Sequence, residues 1–349
     1  MTNSITFSLG ALLRQTISSS QTTLSNDELE LSTGTFADVG LQLGAETGDD
    51  VSLRGQNALL GALTASNATV STTIASSQNI LSNLQTTAQN FLQSLIQSGN
   101  TGNSTASELQ STASANLQTL VNQLNTNVNG QFIFGGTNSG TQPIAAFTPG
   151  SSASSNAVDS AFSAAFGFSQ SSPSVSTITP TQMQSFLTTQ FPSLFQDPAW
   201  TTNWSSASDT PITTQISPSQ TVVTSVSANQ SAFQDLAQAY TMVSDLGTSN
   251  LSAQTFQTVV QQAETVVQSG INGLINLQTN LGDSQSAITA ADNFMSTQST
   301  TLSTQVGSLE NVNQFAVETQ ANDLQTQIET AFELTSQIQQ LSLTKFLPA

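Results

Sequence analysis

The sequence predicts a mainly α protein. Its N- and C-terminal regions are expected to form a long antiparallel coiled-coil or helical-bundle rod, with a small inserted β-rich outer domain. Two matched repeats and one change of character predict this. Leu60, Leu63, Asn67, Val70, Ile74, Ser77, Leu81, Leu84, Ala88, Phe91 and Leu95 alternate three and four apart without a slip. Leu274, Leu277, Leu281, Ser284, Ile288, Ala291, Met295, Gln298 and Leu302 repeat that spacing near the other end. A seven-residue period with one narrow apolar seam marks a coiled coil rather than a lone globular helix. Between the repeats lies a stretch rich in Pro and Phe that holds both Trp200 and Trp204.

Charge excludes whole classes of function. Only 7% of the 349 residues are charged, and Ser, Thr, Asn and Gln take the helix faces where Lys and Glu normally sit. The cations are Arg14, Arg54 and Lys345, and the net charge is -18. Nucleic acid and anionic membrane surfaces are therefore rejected as partners. There is no Cys and no His, which removes the usual zinc sites, thiol catalysis, disulfides and Ser-His triads. No cofactor, metal site or catalytic residue is expected, and the chain is read as a non-enzyme. No apolar run reaches the ~18 residues a membrane helix needs, so no membrane insertion is expected. Met1 to Ser20 lacks a basic n-region, which points to export without a cleaved signal peptide. A surface of amides and hydroxyls keeps its hydrogen bonds in acid, so an acidic external medium is expected, in which the assembly holds at about pH 4.

The elements follow in order. Residues 1–45 form an N-terminal assembly helix and loop, and 46–140 hold the N-terminal core helices. The second core helix is expected to run through Val128 and to stop at Asn129-Gly130. Gln131 to Phe134 reads as a short strand, followed by a Gly-rich turn from Gly135 to Gly140. No Lys follows that turn, so a nucleotide loop is rejected. Residues 141–228 form the variable outer domain, with its own aromatic core and strand from Pro211 to Val226. Residues 229–310 are C-terminal core helices, and 311–349 a C-terminal assembly helix. Adjacent acids such as Asp27/Glu28 and Asp49/Asp50 read as solvated charges, and Glu329 and Glu333 as surface.

Two sets of residues carry the expected assembly. The core seam is Leu60, Leu63, Asn67, Val70, Ile74, Leu81, Leu84, Leu274, Leu281, Ile288 and Leu302. Its polar members Asn67 and Ser77 would set register at some cost in stability, so Asn67→Leu is expected to stabilise. The subunit interface is Leu9, Leu12, Leu13 and Ile17 with Leu334, Ile338, Leu341, Leu343 and Phe346, apolar stripes near both ends that ask for a partner surface.

Short ordered motifs resemble one family. Leu31-Ser32-Thr33-Gly34, Ala37-Asp38-Val39-Gly40-Leu41 and Leu43-Gly44-Ala45 resemble the loop after the first helix in alphaproteobacterial members of the flagellin superfamily. Asn129 through Asn138, Trp204 through Asp209, Leu281-Gly282-Asp283 and Leu341-Ser342-Leu343 are similar to later parts of its hook–filament junction branch. That resemblance implies a subunit exported unfolded through the flagellar type III channel to the extracellular flagellum. It implies a ring of copies of itself, contacts with the neighbouring hook-associated protein and flagellin, and an export chaperone. A filament flagellin is the nearest alternative, and a secreted Ser/Thr-rich adhesin a more distant one.

Overall fold

The computed structural model describes the backbone of residues 2–344 and the side chains of 11–99, 104–338 and 340. The chain forms two compact units, Met1–Gly61 with Met295–Ala349, and Ala62–Phe294.

The first unit contains α1 (Thr2–Thr33), α2 (Val39–Leu43), the start of α3 (Thr47–Thr101), the end of α9 (Ala253–Glu310) and α10 (Gln314–Thr344). α1 ends where Gly34 takes a positive φ of 75° and its N–H bonds the Glu30 carbonyl at 2.7 Å, a glycine helix stop. Across the break between α9 and α10, Thr35 pairs with Asn311, and the Val312 N–H donates to the Gly34 carbonyl at 3.0 Å. Since the end of α1 meets the start of α10, the two helices run antiparallel.

Their inward residues explain why they pair. On α1, Leu13, Ile17, Ser20, Leu24, Asp27 and Leu31 are buried or half-buried; on α10, Val317, Ala321, Leu324, Ile328, Ala331, Thr335 and Ile338 are. Both sets step by four and three. Counting outward from the Gly34–Gln314 approach matches Leu31 with Val317, Asp27 with Ala321, Leu24 with Leu324, Ser20 with Ile328, Ile17 with Ala331 and Leu13 with Thr335. Several layers set a large side chain against a small one, as seam packing requires.

The second unit holds the rest of α3 and α9, with α4 (Ala106–Leu124), β1 (Asn127–Val128), β2 (Gln131–Phe132), α5 (Ala153–Phe166), α6 (Pro180–Thr189), α7 (Ala199–Asn203), β3 (Thr213–Ser217), β4 (Gln220–Val223) and α8 (Ser231–Asp245). β1 pairs antiparallel with β2, and β3 with β4. Within this unit α3 and α9 run antiparallel, with Ser71 bonded to Gln285 at 2.8 Å and Gln85 to Gln278 at 3.0 Å.

Three expectations change here. α4 stops at Leu124, four residues before Val128, and Asn129-Gly130 is a hairpin turn rather than a helix stop. Both residues have positive φ, 54° and 84°, the requirement of a two-residue type I′ turn. Residues 141–228 carry three α-helices and one hairpin, so this region contains β structure but more helix. The reason is local: Ser152 caps α5, and Thr179-Pro180-Thr181-Gln182 is a complete capping box on α6.

The aromatic residues of the insert have no core of their own either. Phe162, Phe186, Phe191, Phe195, Trp200 and Trp204 belong to one continuous buried cluster with Ile74, Leu81, Leu117, Phe233 and Leu274. Their rings touch in series, Trp204 lying 5.3 Å from Phe195 and Phe195 5.1 Å from Phe191, centroid to centroid.

Candidate functional site

Charged groups from α3 and α9 meet at a joint in the first unit. Glu310 ends α9 almost fully buried. Arg54, inside the start of α3, donates from Nε to Glu310 Oε1 at 2.6 Å, and its Nη2 reaches both Glu310 oxygens. Asp50, a turn earlier and also buried, lies 3.3 Å from Arg54 Nε. The Glu310 carbonyl accepts the Phe36 N–H at 3.0 Å, so the loop after α1 is tied to the same point. Burial, and then the hydrogen bond and charge of Glu310, push the Asp50 carboxyl above its ordinary range, and Arg54 partly offsets them. Asp50 is thus a member of an ion-pair joint, not a solvated charge.

Asp27 departs from expectation in the same way. It is buried in the α1–α10 seam with Oδ2 unpartnered, and burial, then the charge of Glu30, raises its pKa. Its signal was in the sequence, because it falls on the four-three spacing of Ile17, Ser20, Leu24 and Leu31. The Asp50–Arg54 pair was also legible as an i,i+4 pair. Glu310, 256 residues from Arg54, carried no such signal.

The expected interface residues divide. Leu13, Ile17 and Ile338 turn toward the chain's own α1–α10 seam, while Leu12 and Leu334 are 61% and 46% exposed on its outside. Leu9, Leu341, Leu343 and Phe346 lie outside the described residues. Of the expected core seam, Leu60, Asn67, Ile74, Leu81, Leu84, Leu274, Leu281, Ile288 and Leu302 are buried, and Leu63 and Val70 half-buried.

In the second unit, two distant motifs close on each other. The Ser208 N–H donates to the Gly135 carbonyl at 3.0 Å, the Thr137 N–H to the Thr210 carbonyl at 3.1 Å, and Asn138 Nδ2 to the Ser206 carbonyl at 2.7 Å. Asn229, which the sequence did not single out, locks this clasp. Its Oδ1 accepts from the Trp200 indole at 3.1 Å and from the Ser205 hydroxyl, and its Nδ2 donates to the Ala207 carbonyl at 3.0 Å and to Asp209 Oδ1 at 2.7 Å. Both lone pairs and both protons of one amide are used. Nearby, a cavity of about 330 Å³ is lined by Thr, Ser, Asn, Gln and apolar side chains and by no charged one. It offers binding groups but nothing for acid–base work.

The paired terminal helices and the seams leading into them are also where known proteins match. Residues 6–139 match the bacterial flagellin N-terminal helical region, and residues 265–347 the bacterial flagellin C-terminal helical region, together well over half the chain. The chain belongs to the flagellin family. No curated protein matches it significantly. A solved structure assigned as a flagellar hook-associated protein from Vibrio parahaemolyticus is similar at a TM-score of 0.52 and 9% identity. The match covers 76% of this chain and 97% of that one; at that identity the likeness is one of fold. Flagellin-family members are exported and polymerise into the extracellular flagellum, which makes this chain a structural flagellar subunit. Among the described residues, no helix is long and apolar enough to cross a membrane.

Proposed function

We propose that this flagellin-family chain is the subunit joining hook to filament. In this reading copies form a short ring, contact a neighbouring hook-associated protein on one side and flagellin on the other, and are kept unfolded for export by a chaperone. Leu12 and Leu334, with Leu9, Leu341, Leu343 and Phe346, would contact neighbouring subunits. The segments 1–45 and 311–349 would be the assembly parts, 46–140 and 229–310 the core, and 141–228 the outward face. The observation that carries the reading is the fold likeness over nearly the full length of a structure assigned as hook-associated. The clasp supports it, because it gives the Asn129–Asn138 and Trp204–Asp209 motifs a shared structural purpose.

The test is deletion of this chain in its own cells, with electron microscopy of the flagella and assay of the medium. Hooks without filaments, and filament monomer shed into the medium, are expected. Loss of filaments with no monomer shed would instead make the chain a filament flagellin.

A further inference from the structure

A subunit with a net charge of -18 repels its own copies, so where its few cations sit decides how copies can meet. Arg54 is committed to Glu310 and Asp50. Arg14 is exposed on α1, and among the described residues the ion pairs are those of Arg54. The layer matching of the α1–α10 seam, which sets Leu13 with Thr335 and Ile17 with Ala331, places Arg14 at the level of residues 332–334. At that level stand Phe332, 52% exposed, Leu334, and Glu333, which is exposed and has no ion pair among the described residues. At about 100° per residue, Glu333 projects from the side of α10 opposite the seam, while Leu12 and Arg14 lie on opposite flanks of Leu13. One band of the helix pair thus carries an exposed cation, an exposed anion and three exposed apolar side chains. The cation and anion point in directions that keep them apart within the chain.

We propose that copies of this chain dock side by side through this band, with Arg14 of one copy meeting Glu333 of the next and the exposed Phe332 and Leu334, on either side of Glu333, packing beside the pair. The contact is heterologous, since different patches meet, so it propagates around a ring or along a helix rather than stopping at a dimer. It rests on the reading of the chain as a self-assembling subunit and adds which surface does the assembling. The apolar flanks supply burial, and the ion pair supplies direction in a surface that is otherwise repulsive.

The experiment uses the full chain, with sedimentation and electron microscopy giving the concentration at which polymer forms. Arg14→Glu and Glu333→Arg are each expected to raise that concentration about tenfold at low salt, less with added salt, because attraction becomes repulsion at every contact. The double variant Arg14→Glu/Glu333→Arg is expected to return toward the parent. Helix content by circular dichroism checks folding; if Arg14→Glu loses helix, Arg14→Gln gives the same readout at a smaller effect. Single variants that polymerise like the parent, or a double variant no better than the worse single, overturn the contact while leaving self-assembly intact. A parent chain that stays monomeric at every concentration overturns self-assembly and the contact with it.

Discussion

Asn67 donates through Nδ2 to Asp292 Oδ1 at 2.6 Å and to the Ile216 carbonyl at 2.9 Å, so one polar seam residue ties α3 to α9 and to β3 at once. This reverses the sign expected for Asn67→Leu. A polar residue tolerated at a seam would be stabilised by Leu, but here Leu leaves a carboxylate and a buried carbonyl without their donor. The unpartnered Asn67 Oδ1 returns part of that loss when it is removed. Hydrogen bonds to charged groups contribute about 1.5–3 kcal/mol, so Asn67→Leu is expected to destabilise the second unit by about 1–2 kcal/mol. Chemical denaturation measures it, and a raised midpoint would restore the simpler view.

The long helices were legible because their signal is periodic and local: the four-three spacing from Leu60 to Leu95 needs no tertiary knowledge. Hairpins and caps were less so, because one dipeptide serves two purposes. Asn129-Gly130 suits a helix stop and a type I′ turn equally well. Partners far apart in the chain were invisible. Nothing near Asn229 announces that Trp200, Ser205, Ala207 and Asp209 will surround it, and nothing near Arg54 points to Glu310. The aromatic stretch misled for a related reason: composition shows that Phe162 and Trp204 will be buried, not that they share a core with Leu117 on α4.

Gly136 gives the clasp a sharp test. Its φ is 59°, and a Cβ there would lie 2.9 Å from the Thr210 carbonyl oxygen and closer still to that of Ser208. Backbone cannot yield as a flexible side chain would. Gly136→Ala is expected to cost about 2–3 kcal/mol through strain and clash. Gly130→Ala, with a positive φ but open space, is expected to cost less, about 1 kcal/mol. Equal losses in denaturation midpoint would mean that the close approach to Ser208 contributes nothing.

Asp245 at the end of α8 makes stability depend on pH. Burial, then the charge of Asp159, pushes its carboxyl to about 7 from the ordinary 3.8, and its Oδ2 is buried without a partner. The folded state therefore holds a proton that the unfolded state releases between about pH 4 and 7. Stability slopes as the protons bound by the unfolded state minus those bound by the folded state, which is negative here. This contribution is present in full below about pH 4 and is lost as pH rises through 7, up to about 4 kcal/mol at about 1.36 kcal/mol per pH unit. The shifts of Asp235 and Glu264, both raised chiefly by burial, carry the same sign. Melting temperature is expected to rise on acidification from about pH 8 to about pH 5, and Asp245→Asn to flatten that rise while stabilising the neutral protein. A melting temperature that falls over the same interval would contradict the assignment.

The four-three count of the seam sets Asp27 level with Ala321, and its carboxylate is covered although little protein surrounds it. The penalty for its unpartnered Oδ2 therefore sits at the low end of the about 1–3 kcal/mol typical of a buried orphan polar group. Replacing it with Leu puts a large apolar side chain opposite a small one, the arrangement Ile17 and Ala331 already use. Asp27→Leu is expected to stabilise the α1–α10 pair by about 1 kcal/mol or slightly more, seen as slower amide hydrogen exchange along both helices. The gain has a functional cost if the carboxylate fixes register, because the introduced leucine would also pack one heptad away, against Ile328, where a carboxylate would not. Slower exchange together with poorer polymer formation would assign Asp27 to register. Slower exchange with unchanged assembly would make it a tolerated flaw in the seam, and faster exchange would show that the carboxylate has a partner.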